Sequence, residues 1–282
     1  MFQVVIFMKF KKFYIAFYII LAIICVHGCT SDVYYEDIPS EYNKAIEKIE
    51  YQLGYSNIYC SKIRHDDLPV AETDVSQQKT IYLTFDDGPS MRTEEILDLL
   101  GEHNIKATFF IVNNESEKAK EIVKRTYDEG HTIGVHSASH SYNEIYKSVD
   151  SFLDDFEQCY TYIEDVTGES PSIYRFPGGS VNNYNNNICK DIVFEMNRRG
   201  FTYFDWNISS DDATQNYTED SIYRKVMDGC LSHNNCVVLM HDSPKKKETV
   251  AALKRLIPEL IEKGYQFDKL DETVQPTVFR LD

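Results

Sequence analysis

Residues 79–90, KTIYLTFDDGPS, place a short apolar run directly before two adjacent aspartates and a Gly-Pro pair. The run Ile81–Phe85 is typical of a buried strand, and the Gly-Pro pair forces the chain to turn after it. An amphipathic segment, Thr93–His103, follows the turn. This stretch therefore predicts a strand, a polar loop and a helix, in that order.

The same order recurs along the rest of the chain. Further strands are predicted at residues 107–112, 132–135, 173–176, 203–208 and 237–240, and further helices at 117–129, 149–167, 189–199, 220–231 and 249–263. Gly130, Gly200 and Gly264 each separate a helical segment from the next strand, where glycine closes a helix at low cost. About six or seven alternating βα units predict an α/β fold with a parallel sheet, either a barrel or an open doubly wound sheet.

Composition limits the classes of function. The chain has 282 residues, of which 43% are apolar and 26% charged, so it can bury a sizeable core. Its net charge of −16 argues against a nucleic-acid partner, which normally requires a basic face. The asparagine-rich residues 182–187 are predicted to be a surface loop. Cys230 and Cys236 are either a disulfide across a short loop or two buried thiols, and the spacing favours neither.

The N-terminus is predicted to be an export signal, residues 1–28. Three lysines precede the apolar run Phe13–Val26, whose 14 residues fall short of the roughly 20 that span a bilayer. Val26–Cys29 resembles a lipobox, which predicts lipidation of Cys29 and anchoring on the extracellular face of a membrane. An uncleaved anchor helix or ordinary signal cleavage is the alternative. Residues 29–76 are predicted to be a polar tether, 77–271 the folded domain and 272–282 a C-terminal tail.

Polar side chains follow several of the predicted strands. Asp86 and Asp87 end the first strand, and His136 and His140 follow the third. Because the carboxyl ends of parallel strands meet at one edge, we expect these side chains to lie together. The i, i+4 spacing predicts both imidazoles on one side of a helical turn, where they can share an ion. One carboxylate and two histidines form a facial metal site with open positions.

Two later strand ends carry further candidates. Arg175 precedes Pro-Gly-Gly, so it can orient a carboxylate while the tight loop exposes N–H groups to an oxyanion. His241 ends the strand at residues 237–240, after a loop that contains several acidic residues. Each group alone also suits a turn, a helix cap or a structural role. Their predicted convergence at one end of the sheet favours a functional site.

Four motifs in this order resemble those of the polysaccharide deacetylases, the NodB homology domain of carbohydrate esterase family 4. They are Thr84–Ser90, His136–His140, Arg175–Gly179 and Leu239–His241. The resemblance covers about residues 79–271, which it identifies as a catalytic domain. It implies a distorted (β/α) barrel that removes N- or O-acetyl groups from sugar polymers. It also implies a divalent metal, usually Zn²⁺, with Co²⁺, Ni²⁺ or Mn²⁺ as alternatives.

The resemblance also implies roles for individual residues. The expected metal ligands are Asp87, His136 and His140. Asp86 is expected to act as the general base, with Arg175 as its partner. His241 is expected to act as the general acid, with Asp212 tuning it. The backbone N–H of Gly178 is expected to bind the oxyanion, and Leu239 is expected to line the pocket for the acetyl methyl group. Asp205 and Asp211 are alternatives to Asp212. Gly178 and Ala213 stand where the family often has aromatic residues, and Trp206 is the candidate replacement for a substrate-stacking wall.

Export beside the cell wall, together with the family resemblance, predicts peptidoglycan N-acetylglucosamine as the substrate. Chitooligosaccharide, acetylxylan and an exopolysaccharide are alternative substrates. Two other classes of protein fit part of the pattern, a non-catalytic carbohydrate-binding relative and a non-haem iron oxygenase, since two histidines and a carboxylate also suit Fe(II). The full set of catalytic side chains argues against the first. The βα rhythm and a second aspartate beside the ligand argue against the second.

Overall fold

The structure is a computed structural model, and it describes residues 79–281. The predicted signal peptide, the predicted tether and Cys29 lie outside the described residues. Within residues 79–281, no helix combines the length and the apolar character needed to cross a bilayer.

Strands and helices alternate along the described chain. The strands are β1 Thr80–Asp86, β2 Thr108–Val112, β3 Thr132–Ser137, β4 Ile173–Tyr174, β5 Thr202–Tyr203, β6 Ile208–Ser209, β7 Asn235–His241 and β8 Gln266–Asp268. The helices are α1 Met91–Glu102, α2 Glu117–Asp128, α3 Tyr142–Ile145, α4 Val149–Thr167, α5 Cys189–Arg198, α6 Glu219–Leu231 and α7 Lys247–Glu262. All six predicted helices are present to within two residues at each end, and the short helix α3 was not predicted.

The strands form one parallel sheet in the order β5-β4-β3-β2-β1-β7-β6. The central strand β1 pairs with β7 along its whole length, from Thr80 opposite Asn235 to Asp86 opposite His241. On its other side β1 pairs with β8 in its first half and with β2 in its second half. Helix α4 packs on β3, and helix α6 packs on β6 and β7. The sheet curls into a half-barrel, so the predicted distorted (β/α) barrel is confirmed.

The predicted strand at residues 203–208 is wrong, because the structure divides it into β5 and β6 at opposite edges of the sheet. The segment between them crosses the open side of the barrel. Phe204 donates a backbone hydrogen bond to β4 at 3.0 Å, and Asn207 donates one to β7 at 3.2 Å. Asp205 interrupts the strand because its N–H donates to the Thr277 carbonyl of the C-terminal segment, at 2.7 Å. Thr277 lies within the predicted tail, residues 272–282, so part of this tail packs on the domain and helps to close the barrel.

The helices end at the glycines that the sequence analysis identified. Gly130, Gly200 and Gly264 all have left-handed backbones, with φ of 83°, 87° and 83°. At the other end, the Ser90 side chain accepts a hydrogen bond from the first turn of α1 and forms a capping box with Thr93. Each such cap contributes about 1 kcal/mol and sets the residue at which the helix begins. The loops that carry the polar motifs therefore have defined starts and ends.

The core between sheet and helices is rich in aromatic side chains. Its largest fully buried apolar members are Tyr174, Phe85, Phe109, Phe110, Phe176, Phe201 and Phe204. Burying each such side chain contributes roughly 1.5–3 kcal/mol, which makes a rigid base for the loops at the strand ends. Cys230 and Cys236 are free thiols in this core, so the alternative of a disulfide between them is not observed.

Candidate active site

Two adjacent aspartates at the end of β1 have different backbone conformations. Asp86 is the last residue of β1, whereas Asp87 has a left-handed backbone with φ of 76°. Such a conformation is strained for a residue with a side chain and is often found at functional sites. Gly88 follows, and a Cβ atom there would lie 2.2 Å from Oδ2 of Asp242. Only glycine therefore fits this turn, which packs directly on the end of β7.

The predicted histidine pair meets, but not on a helical turn. His136 lies within β3, and His140 lies in the following loop with φ of 51°. The helical prediction is wrong because residues 138–141 form a bent, irregular loop and not a helical turn. The Nδ1 atom of His136 is 2.9 Å from the Arg175 carbonyl oxygen. A carbonyl only accepts, so Nδ1 carries the proton and Nε2 keeps its lone pair, as in most metal-ligating histidines.

Asp155 on helix α4 holds this loop in place. Its Oδ2 accepts from the hydroxyl of Ser137 at 2.6 Å and from the N–H of Ala138 at 2.9 Å. Its Oδ1 accepts from the N–H of Ser139 at 2.8 Å. The Ser137 hydroxyl oxygen in turn accepts from the N–H of His140 at 2.8 Å. Asp155 was not predicted. The available signal was a carboxylate on the otherwise apolar, buried face of an amphipathic helix.

Asp87, His136 and His140 bring their ligand atoms together, all within 4.8 Å of one another. Oδ1 of Asp87 lies 3.5 Å from Nε2 of His136 and 3.2 Å from Nε2 of His140. Among the described residues, this buried carboxylate oxygen has no hydrogen-bond donor. A carboxylate oxygen without a donor that faces an imidazole lone pair is repulsive unless a cation lies between them. The donor set therefore fits a divalent metal ion.

The electrostatics of Asp87 and His136 favour the forms that bind metal, whereas His140 would give up a proton to bind it. Although burial raises the pKa of Asp87, the neighbouring His140 and His136 lower it by more, below its ordinary value. Burial lowers the pKa of His136, which keeps that imidazole neutral. For His140, burial also lowers the pKa, but the carboxylate of Asp87 raises it by more. The raised pKa means that His140 holds a proton more firmly, and a bound cation would replace this proton.

Arg175 and Asp86 form a buried ion pair. The guanidinium is fully buried, and its Nη1 atom donates to Oδ1 of Asp86 at 2.9 Å. The same nitrogen donates to the Thr84 hydroxyl at 2.6 Å. Nε and Nη2 donate to the carbonyl oxygens of Phe204 and Asp205, at 2.8 and 2.9 Å. These contacts fix the orientation of Asp86 and join β1 to the segment that crosses the open side of the barrel.

Asp212, and neither of the two acidic alternatives, contacts His241. Its Oδ1 lies 2.7 Å from Nδ1 of His241, and its Oδ2 accepts from the backbone N–H of the same histidine at 2.9 Å. Thr249 donates to Oδ2 at 2.8 Å. Asp205 instead binds the loop after Arg175, and Asp211 forms an ion pair with Lys225. Burial lowers the pKa of His241, but Asp212 raises it by more, so the imidazole holds its proton more firmly.

The remaining predicted residues lie around this centre. Gly178 has φ of 76° in the tight loop after Arg175. Leu239 is buried in β7 two residues before His241, so both side chains point to the same face of the sheet. The ring of Trp206 packs edge-on against Phe279, with ring centroids 4.9 Å apart. It also lies against Gly179, behind the tight loop. The stacking role suggested for Trp206 stays a prediction.

The arrangement places an acid–base pair beside a cation site. Asp86 and His241 are register partners on the paired strands β1 and β7. Asp87 follows Asp86 in the chain and lies beside the two histidines from β3 and its loop. Such a site can bind a cation, accept a proton at Asp86 and donate one from His241. These are the requirements for metal-assisted hydrolysis of an amide or an ester.

Comparison with known proteins gives consistent matches. The profile of the family described as polysaccharide deacetylase matches residues 73–196. A peptidoglycan-N-acetylglucosamine deacetylase of Bacillus cereus is 33% identical over 200 residues, which are 70% of this chain and 71% of the relative. The crystal structure of the catalytic domain of peptidoglycan N-acetylglucosamine deacetylase from Eubacterium rectale matches with a TM-score of 0.70 and 38% identity, over 76% of this chain and 100% of that one. The polysaccharide deacetylase Bc1974 from Bacillus cereus matches with a TM-score of 0.62 and 31% identity, over 71% of this chain and 96% of that one.

Proposed function

This chain belongs to the polysaccharide deacetylase family, and we propose from that membership that it hydrolyses the N-acetyl groups of peptidoglycan N-acetylglucosamine. The observation that carries the proposal is the joint placement of Asp87, His136 and His140 beside Asp86 and His241. Two of the matched proteins act, by their names, on peptidoglycan N-acetylglucosamine. A purely carbohydrate-binding protein would not need a buried base, a partly buried acid and a set of metal ligands in one place.

The three ligand residues would hold Zn²⁺, with Co²⁺, Ni²⁺ or Mn²⁺ as alternatives. When bound, such an ion lowers the pKa of a coordinated water to about 7 and polarises a carbonyl group. His136 is prepared for this role because its Nδ1 proton is engaged by the Arg175 carbonyl. Because the His136 side chain is buried, water does not compete for its Nδ1 hydrogen bond. The loop held by Asp155 fixes the position of His140.

Asp86 accepts the proton of the attacking water, and the hydrogen bond from Arg175 orients its carboxylate. The backbone N–H of Gly178 donates to the oxygen that becomes negatively charged as the tetrahedral intermediate forms. Leu239 supplies an apolar surface for the acetyl methyl group. His241, which holds its proton because Asp212 lies 2.7 Å away, donates it to the sugar nitrogen as the carbon–nitrogen bond breaks.

Acetate release from the purified full chain in detergent tests this function. Peptidoglycan, N-acetylglucosamine oligomers and acetylxylan should be compared with and without added Zn²⁺. We expect zinc-dependent release that is greatest on peptidoglycan and absent in Asp86→Asn, which retains the metal ligands. Tyr127→Ala, at the far end of helix α2, is a control with unchanged activity. Binding of these polymers by the zinc-loaded chain with no acetate release from any of them would contradict the proposal.

We also propose that Cys29 carries a lipid that anchors the chain on the extracellular face of the membrane. The support comes from the sequence, in which lysines and a short apolar run precede Val26–Cys29. A lipid anchor would hold the active site close to the cell wall. Replacing the cysteine, Cys29→Ala, should move the protein from the detergent phase to the aqueous phase. If the variant stays in the detergent phase, the anchor does not depend on Cys29.

A further inference from the structure

A row of three aromatic rings leads away from the candidate metal centre. The imidazole of His140 lies 5.3 Å from the ring of Tyr142, and that ring lies 5.1 Å from the ring of Tyr184. The two tyrosines meet edge to face, at 67° between their planes. Tyr184 is 51% exposed, whereas Tyr142 is partly buried. The row therefore begins at a metal ligand and ends at an aromatic face open to solvent.

Tyr142 depends on the absence of a side chain at residue 178. A Cβ atom on Gly178 would lie 3.2 Å from the hydroxyl oxygen of Tyr142 and 3.4 Å from the side-chain nitrogen of Asn182. The φ of 76° at Gly178 disfavours a side chain as well. The position at which the family often has an aromatic residue is thus bordered here by a tyrosine from the start of helix α3. An aromatic wall can form next to the tight loop without an aromatic residue in it.

Tyr184 is exposed, but its backbone is firmly held. Its N–H donates to Oδ1 of Asn182 at 2.8 Å. The Nδ2 atom of Asn182 donates to the carbonyl oxygens of Pro177 and Gly179, at 3.2 and 3.0 Å. The tyrosine is therefore tied to the same loop that supplies the Gly178 N–H. A rigid tyrosine loses little conformational entropy when a ligand covers it, which is typical of a binding residue.

We propose that Tyr142 and Tyr184 form a sugar-binding surface for the residue adjacent to the one that is deacetylated. This inference rests on the proposed function. Tyrosine combines an apolar ring face with a polar hydroxyl, and this suits a pyranose ring, whose C–H groups lie on its faces and whose hydroxyl groups lie at its edge. His140 lies at the reacting acetyl group, and Tyr184 is one ring further out, beyond Tyr142. The surface therefore favours chains of two or more sugars over the monosaccharide.

Two measurements on the full chain test this surface. In an Asp86→Asn background, calorimetry should give the affinity for an N-acetylglucosamine hexamer and for the monosaccharide. Adding Tyr184→Ala should weaken hexamer binding roughly three- to tenfold, the range for one lost aromatic contact. Tyr184→Phe should retain most of the affinity, and Tyr127→Ala all of it. In the active enzyme, Tyr184→Ala should lower kcat/KM for the hexamer relative to that for the monosaccharide by a similar factor.

The two proposals fail in different ways. If Tyr184→Ala binds the hexamer as tightly as its parent, or loses monosaccharide and hexamer affinity equally, the sugar-binding surface is wrong while acetate release by the wild-type chain still stands. If the wild-type chain releases no acetate but hexamer binding depends on Tyr184, the proposed function is wrong and the surface belongs to a binding protein.

Discussion

Replacement of Arg175 by methionine removes four hydrogen bonds from the interior of the barrel. The guanidinium donates to Asp86, Thr84, Phe204 and Asp205, over distances of 2.6 to 2.9 Å. Methionine fills much of the same volume but donates nothing. The Asp86 carboxylate is then left buried without its counter-ion. Breaking a buried ion pair from one side destabilises a protein by about 3–5 kcal/mol, and we expect Arg175→Met to fall in that range.

A double-mutant cycle separates the ion pair from the other contacts of Arg175. Asp86→Asn removes the charge that the guanidinium neutralises but retains the shape of the side chain. In the Asp86→Asn background, Arg175→Met should therefore cost less than it does alone. The difference should be about 1–3 kcal/mol, the coupling expected for residues in direct contact. The remaining loss of stability reports the three bonds to Thr84, Phe204 and Asp205.

Urea unfolding of the wild type, the two single variants and the double variant gives the four free energies. All four should show the same dependence on urea concentration, because the surface exposed on unfolding is unchanged. Arg175→Met should also abolish acetate release, since Asp86 is no longer oriented. If the two substitutions are additive within about 0.5 kcal/mol, Arg175 and Asp86 do not form the pair described here.

Two further predictions concern the acid and the first turn. Asp212 raises the pKa of His241 although the histidine is largely buried. Asp212→Asn should therefore move the alkaline limb of the rate–pH profile to lower pH, because the imidazole loses its proton at a lower pH. If the limb does not move, His241 is not the general acid. Gly88→Ala should destabilise by about 1–3 kcal/mol, since its Cβ would lie 2.2 Å from Asp242. Gly101→Ala, where nothing lies within 4 Å, is the matched control in helix α1. Calorimetric melting should show a Tm below that of the wild type for Gly88→Ala, and an equal or higher Tm for Gly101→Ala. If the two variants have the same Tm, the close packing described for Gly88 is wrong.

Local patterns predicted most of the fold because its elements are locally consistent. The helices have regular apolar faces, and glycines mark their ends, so the bounds of α4 were predicted to the residue. The convergence of Asp87 and His136 followed from a general property of parallel sheets, in which the carboxyl ends of neighbouring strands meet at one edge. That property requires no knowledge of side-chain geometry.

The features that local patterns missed depend on contacts distant in sequence. The division of residues 203–208 into β5 and β6 follows from bonds to Thr277 and Arg175, which no local pattern contains. The sharp loop at His140 depends on Asp155, fifteen residues further along the chain. The choice among Asp205, Asp211 and Asp212 is likewise decided by their partners in space.

The central claim is that Asp87, His136 and His140 bind one divalent cation. Diffraction from crystals of the chain grown with Zn²⁺, recorded on both sides of the zinc absorption edge, tests it most directly. We expect one strong anomalous peak about 2 Å from Nε2 of both imidazoles and from the Asp87 carboxylate, and no such peak in Asp87→Ala. A peak that persists in Asp87→Ala, or zinc bound only at another site, would contradict the account.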